Sequence, residues 1–182
     1  MLPLDGIKVM DLSRVLAGPY CGMILADLGA EVIKIERPGT GDDARAYGPF
    51  VNGESAYFIS VNRNKKSVTL NLKKPEGKQI FKDLIKDFDV VVENFRPGTM
   101  ERLGLGYDEL RKINPRLIYA TCTGYGYTGP MKNRPAYDAV IQAMGGLMSI
   151  TGFPDGKPTR VGASIADIVT GMFCAIGVLA AL

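Results

Sequence analysis

The sequence predicts an α/β fold, with a mostly parallel sheet covered by helices on both faces. Three observations lead there. Short apolar runs recur along the chain at strand length, segments of helical periodicity separate them, and the first two runs flank a small-residue helix with a face narrow enough for close packing. With 182 residues, 46% of them hydrophobic and 23% charged, the chain can also bury a core of its own.

The elements follow in order. IKVMDL (Ile7 to Leu12) and EVIKIE (Glu31 to Glu36) read as strands around AGPYCGMILADLGA, a helix in which Gly18, Cys21, Gly22, Leu25 and Ala26 form a narrow face suited to close packing. This is a βαβ unit, which implies parallel strands and a right-handed crossover. Residues Pro38 to Pro49, rich in Gly, Asp, Arg and Pro, read as a surface excursion. SVTLNL (Ser67 to Leu72) resumes the strand pattern, and Pro75-Glu76-Gly77 opens a charged amphipathic helix ending near Phe88. DVVVEN (Asp89 to Asn94) and RLIYATCT (Arg116 to Thr123) are two more strands. PGTMERLGLGYDELRKINP between them holds two short helices, a further helix begins near Ala136, and an apolar helix fills residues 164 to 182. The sum is a doubly wound, Rossmann-like layer architecture.

Composition limits the chemistry. The chain has no histidine, so Ser–His triads, Cys–His dyads, imidazole shuttles and HExxH zinc sites are excluded, and chemistry must come from carboxylates, Lys, Tyr, Cys or backbone donors. Cys21, Cys122 and Cys174 are far apart in sequence without a CxxC pair, which reads as small core residues in a reducing compartment and gives no metal site. A net charge of +3 with scattered basic residues shows no nucleic-acid stripe. The first residues lack a secretory pattern, and Asp167, Gly171 and Gly177 interrupt the last apolar run, so neither a signal nor a membrane span is expected.

Asp167 is the residue that most needs an explanation. It is the one carboxylate in VGASIADIVTGMFCAIGVLAAL, and an unpaired buried carboxylate is costly. Ser164-x-x-Asp167 has capping-box spacing, which gives it a structural reason to be there. The same position places it among free first-turn N–H groups and the positive helix end, which are expected to lower its pKa and keep it ionised. Flanked by Gly162, Ala163 and Gly171, it also has room to act as a nucleophile. GYGYTG (Gly124 to Gly129) matches a dinucleotide fingerprint but is followed by Pro130 and comes late in the chain, so it reads as a loop kept small for turns or ligand approach.

The blocks PLDGIKVMDLSRVLAGP, LGAEVIKIERPGTGDD, YFISVNRNKKSVTLNL, VVVENFRPGTMERLGLGY, TGYGYTGP, AYDAVIQAMGGLMSITG and VGASIADIVTGM, in that order from Pro3 to Leu182, resemble the class III CoA-transferases, the CaiB/BaiF family that includes formyl-CoA transferase. The resemblance implies that Asp167 is the catalytic nucleophile. For CoA binding it implies Val15, Ala17 and Gly18 after the first strand, Arg37 after the second, Lys66 and Leu72 around the third, Asn94, Phe95, Arg102 and Leu103, and Tyr137. It further implies coenzyme A and acyl-CoA as substrates rather than a permanently bound cofactor, a carboxylic acid acceptor and an interlocked homodimer; the cysteine usage, charge distribution and interrupted apolar run give the expectations of a cytoplasmic location and of neither nucleic acid nor membrane as partner. The position of the histidine in the family's α-methylacyl-CoA racemases holds Tyr137 here, which favours CoA transfer over racemisation. A noncatalytic acyl-CoA-binding subunit is the alternative from another class. The wording of SVNRNKKS and of LAGPYCGMILADLGAEVIKIERPGTGDDAR is closer to the succinyl-CoA-dependent dicarboxylate members than to formyl-CoA transferase. Because family members are roughly twice as long, residues 1–182 read as the N-terminal part of the CoA-binding large domain, without the small domain and the C-terminal return.

Overall fold

A computed structural model describes residues 1–182. The chain runs β1 (Lys8–Asp11), α1 (Ala17–Asp27), β2 (Glu31–Glu36), a small hairpin of β3 (Phe50–Val51) and β4 (Glu54–Ser55), α2 (Ala56–Asn62), β5 (Lys65–Thr69), α3 (Pro75–Leu84), β6 (Val90–Glu93), α4 (Thr99–Leu103), α5 (Tyr107–Ile113), β7 (Ile118–Thr121), α6 (Asp138–Met144) and α7 (Ile165–Ala181). Five strands form one sheet in the order β5-β2-β1-β6-β7, and every pairing is parallel. The chain winds outward from β1 through β2 to β5, then returns to β6 on the other side of β1. The order therefore reverses between β1 and β6, and the crevice beyond their carboxyl ends is where such sheets bind ligands.

Alternation along the strands divides the core into two layers. Val9, Val32, Val90 and Val92 face Cys21, Leu25 and Ala26 of α1 and Ala175 and Val178 of α7. Met10, Ile35 and Val91 face Phe81 of α3, Met100 of α4 and Leu110 of α5. Burying each of the Val, Leu, Ile, Met and Phe side chains among these contributes about 1.5–3 kcal/mol. The mostly parallel, doubly wound sheet expected from the alternating pattern is the fold observed.

One expected strand is corrected, and elements without a sequence signal are added. The strand expected at Ser67 to Leu72 runs from Lys65 to Thr69, because its register is set by pairing with β2 while Leu70 and Leu72 leave the strand to pack against the α3 layer. Residues 50–62, given no element from sequence, form the hairpin and α2, with the Ser55 hydroxyl capping Phe58 N–H at 3.0 Å. Cys21, Cys122 and Cys174 are free thiols, and Cys21 and Cys174 pack in the core layer of α1 and α7, as small core residues do.

Helix α7 packs its small residues on α1. A methyl group at Gly171 would lie 2.5 Å from the Ala17 carbonyl oxygen, so only glycine permits this approach. Gly171, Ala175 and Val178 are buried there, whereas Met172, Phe173, Ile176 and Leu179 are exposed on the outer face. Although α7 is the longest helix, no helix in the chain is long and apolar enough to cross a membrane.

Candidate active site

The crevice rests on a buried charged network at the carboxyl ends of β1 and β2. Lys65 Nζ donates to Asp11 Oδ2 at 2.8 Å, to the Pro19 carbonyl at 2.8 Å and to Asn62 Oδ1 at 2.9 Å. Burial works against the Asp11 charge, but Lys65 and then Lys34 outweigh it and hold this carboxyl below the usual carboxylate range. Lys34, itself buried, pairs with Asp42 at 2.9 Å and donates to the Ser13 carbonyl at 2.7 Å. Glu36 receives Arg45 through two bonds of 2.7 Å, and its pKa is held near 2: burial opposes the charge, and Arg45, Ser67 and the Asp42 amide overcome it.

This network fixes the loop after β1. Asn94, just past β6, grips one residue of that loop from both sides: its Oδ1 accepts from Arg14 N–H at 2.8 Å and its Nδ2 donates to the Arg14 carbonyl at 2.7 Å. Asp42 Oδ1 accepts from Val15 N–H at 3.1 Å. Val15 is thereby held at φ 67, an unfavourable conformation for a β-branched residue that persists because its neighbours over-determine it. Helix α1 starts immediately afterwards with no side-chain cap, and nothing in the chain accepts from the Ala17 and Gly18 N–H groups. Gly18 has to be glycine, since a methyl group there would lie 2.2 Å from Ser13 Cβ and 3.3 Å from Asn94 Cβ.

A cavity of about 460 Å³ opens over this loop, walled by Val15, Leu16, Ala17, Asn94, Phe95, Tyr137 and Asp167, among others. Asp167 enters from the first turn of α7. The capping box expected at Ser164 is not formed, because the Ser164 side chain makes no cap bond. Asp138, at the start of α6, takes over that role across 28 residues: its Oδ1 accepts from Ala166 N–H at 2.9 Å and, more weakly, from Asp167 N–H at 3.4 Å. The other Asp138 oxygen accepts from buried Gln142 Nε2 at 2.7 Å. The expected depression of the Asp167 pKa is also corrected. Burial, and secondarily the negative charge of Asp138, push it up to about 6. Tyr57 feels Asp167 in turn; burial first and then the Asp167 charge raise its hydroxyl to about 12, so it stays protonated.

Of the residues implied by resemblance, Val15, Ala17, Asn94, Phe95, Tyr137 and Asp167 share this one cavity, and Gly18 lies directly behind its wall. Arg37 stands at its margin, bound at 2.5 Å to Asp43, which lines it. The others lie elsewhere: Lys66 is exposed on the edge strand and paired with Glu31 at 2.6 Å, Leu72 and Leu103 pack into the α3 layer, and Arg102 bonds Thr99. Sequence reasoning missed Arg14, Tyr57 and Asp138. Arg14 directly precedes Val15, a residue it did mark, but Asp138 and Tyr57 reach Asp167 only through tertiary structure.

Comparison with known proteins adds the following. The profile of CoA-transferase family III matches residues 4–182. The chain is 55% identical, over 183 residues, to the succinyl-CoA:glutarate CoA-transferase of Mus musculus, covering 100% of this chain and 42% of that protein. It is also 55% identical, over 181 residues, to the acetyl-CoA:oxalate CoA-transferase of Acetobacter aceti, covering 99% and 46%. The crystal structure of a CaiB/BaiF family protein from Brucella suis superposes with a TM-score of 0.94 at 47% identity, covering 99% of this chain and 49% of that one. The chain thus spans about half the length of the relatives it matches.

Proposed function

The chain belongs to CoA-transferase family III, and from that premise we propose that the protein it forms moves coenzyme A from an acyl-CoA to a carboxylic acid, with Asp167 as the nucleophile. The observation that carries this reading is a half-buried carboxylate on the wall of the switch-point cavity, which the start of α1 also lines with N–H groups that have no internal acceptor.

In the proposed sequence, an Asp167 oxygen attacks the thioester carbonyl, the tetrahedral oxyanion collapses, and the C–S bond breaks to give an aspartyl-acyl anhydride and CoA thiolate. The thiolate then attacks the aspartyl carbonyl of the anhydride, which releases the donor acid as its carboxylate and leaves an aspartyl-CoA thioester. An acceptor carboxylate attacks that thioester to give a second anhydride, and the expelled thiolate attacks the acceptor's acyl carbon and frees Asp167. No net proton moves, so the cycle needs no histidine. A pKa near 6 suits the first step, since Asp167 is ionised at neutral pH and more basic than an ordinary aspartate. The Ala17 and Gly18 N–H groups are the donors best placed for an oxyanion. The neighbouring Val15 N–H is already taken by Asp42.

The two transferases above name glutarate and oxalate, which makes dicarboxylic acids the acceptor class we propose. Coenzyme A is read along the Asn94–Phe95 side of the cavity. Racemisation is disfavoured because Tyr137, which is exposed and unpaired with any base, is a poor partner for Asp167 in a two-base mechanism. A noncatalytic acyl-CoA-binding role would leave the raised pKa and the free helix start unused. The exposed apolar face of α7 fits coverage by a second chain in an interlocked dimer. Initial-rate assays of the intact protein with an acyl-CoA donor and glutarate test the reading: CoA transfer that disappears in Asp167→Asn supports it, and undiminished transfer in that variant refutes it.

A further inference from the structure

Arg14 is the one cation on the cavity wall whose position is fixed at every level. Its backbone is gripped by Asn94 at 2.8 and 2.7 Å, and its guanidinium lies 5.1 Å from the centre of the Phe95 ring. One end, Nη1, bonds Asp43 at 3.1 Å. The adjacent edge is unused: Nε is buried without any hydrogen-bond partner, and Nη2 makes none. An unsatisfied buried donor is unfavourable, and the Nε–Nη2 edge of a guanidinium is the fork that matches a carboxylate with two parallel bonds.

Arg14 and Asp167 line the same cavity. Gly171, one turn along α7 from Asp167, touches the Ala17 carbonyl, and Arg14 precedes Ala17 by three residues on the same loop. Asp43 engages Arg37 as well, so two guanidiniums share one carboxylate and the group keeps an excess positive charge.

We infer that Arg14 receives the second carboxylate of a dicarboxylic acid through its unpaired guanidinium edge, while the first carboxylate meets the chemistry at Asp167. This rests on the CoA-transfer reading and deepens it: Arg14 sets the preference for diacids over monoacids. Phe95 and Asp43 hold the guanidinium in place beforehand, so little side-chain freedom is lost on binding.

The test uses the intact protein with acetyl-CoA as donor, whose acyl group carries no second carboxylate, and glutarate or pentanoate as acceptor. In Arg14→Gln the KM for glutarate should rise at least about tenfold, as loss of a charge-assisted pair does, while the KM for acetyl-CoA and the rate with pentanoate stay within about twofold. Arg14→Lys, which keeps the charge but not the fork, should fall between. Equal losses with both acids, or a raised KM for acetyl-CoA with the diacid preference intact, would overturn the assignment. Calorimetric titration of glutarate in the presence of CoA decides the point without turnover, since equal affinity in wild type and Arg14→Gln also overturns it. A wild-type protein that transfers CoA to neither acid would refute the transfer reaction, with that titration still deciding the role of Arg14.

Discussion

Replacing Asp138 by Asn separates what this residue does for the fold from what it does to Asp167. An Asn can keep its side-chain oxygen on Ala166 N–H and so preserve the cap on α7. Its amide nitrogen then faces Gln142 Nε2, donor against donor, where the native pair is a 2.7 Å bond. Gln142 cannot turn over to help, because its oxygen already accepts from Val161 N–H at 2.8 Å. Losing this buried bond and stranding two donors costs about 1–3 kcal/mol. Removing the Asp138 charge also takes away the second cause of the raised Asp167 pKa but leaves burial, the larger one. The acid limb of the kcat profile should therefore move below about 6 while staying above the ordinary value of 3.8. The linkage has a definite sign. A carboxyl whose folded pKa is raised weakens the fold fully above pH 6, and that penalty is relieved as pH falls from 6 toward 3.8; the relief should be smaller in Asp138→Asn. Chemical denaturation across this range together with a pH–rate profile checks both halves. An acid limb that stays in place, or moves upward, would refute the assigned coupling.

Three other substitutions probe the scaffold. Ser164→Ala should change unfolding free energy by less than about 0.5 kcal/mol, because its hydroxyl caps nothing; a loss near that of a real cap, about 1 kcal/mol, would restore the capping box. Gly171→Ala puts a methyl group against the Ala17 carbonyl oxygen and should cost about 1–3 kcal/mol from overpacking despite alanine's better helix propensity, with a thermal melt as readout. Lys65→Met strands the buried Asp11 carboxylate and should destabilise by about 3–5 kcal/mol at neutral pH, recovering as Asp11 is protonated in acid, which denaturation at two pH values measures.

Much of the fold was legible because parallel strands buried on both faces read as unbroken apolar runs, as Val90 to Val92 do, and because the narrow face of α1 announced close packing. What escaped depended on partners remote in sequence. The edge strand β5 is polar and exposed, so its register came from β2 rather than from its own pattern. Within the site, Asp167 stood out as a lone carboxylate in an apolar stretch, yet both local inferences about it failed. Ser164 has the right spacing for a cap but the wrong geometry, and Asp138 supplies both the cap and part of the pKa shift from another helix. Arg14 carries no local signal that distinguishes it from a solvated charge; only the Asn94 grip and the empty guanidinium edge do.

The central claim is that Asp167 becomes covalently linked during CoA transfer. Incubation of the intact protein with acyl-CoA, rapid quenching and borohydride reduction, followed by peptide mass spectrometry, addresses it directly. The account predicts an alcohol in place of the carboxyl group at Asp167, formed by reduction of the aspartyl thioester and absent without acyl-CoA. Reduction at another carboxylate, with Asp167 unmodified during active turnover, would contradict it.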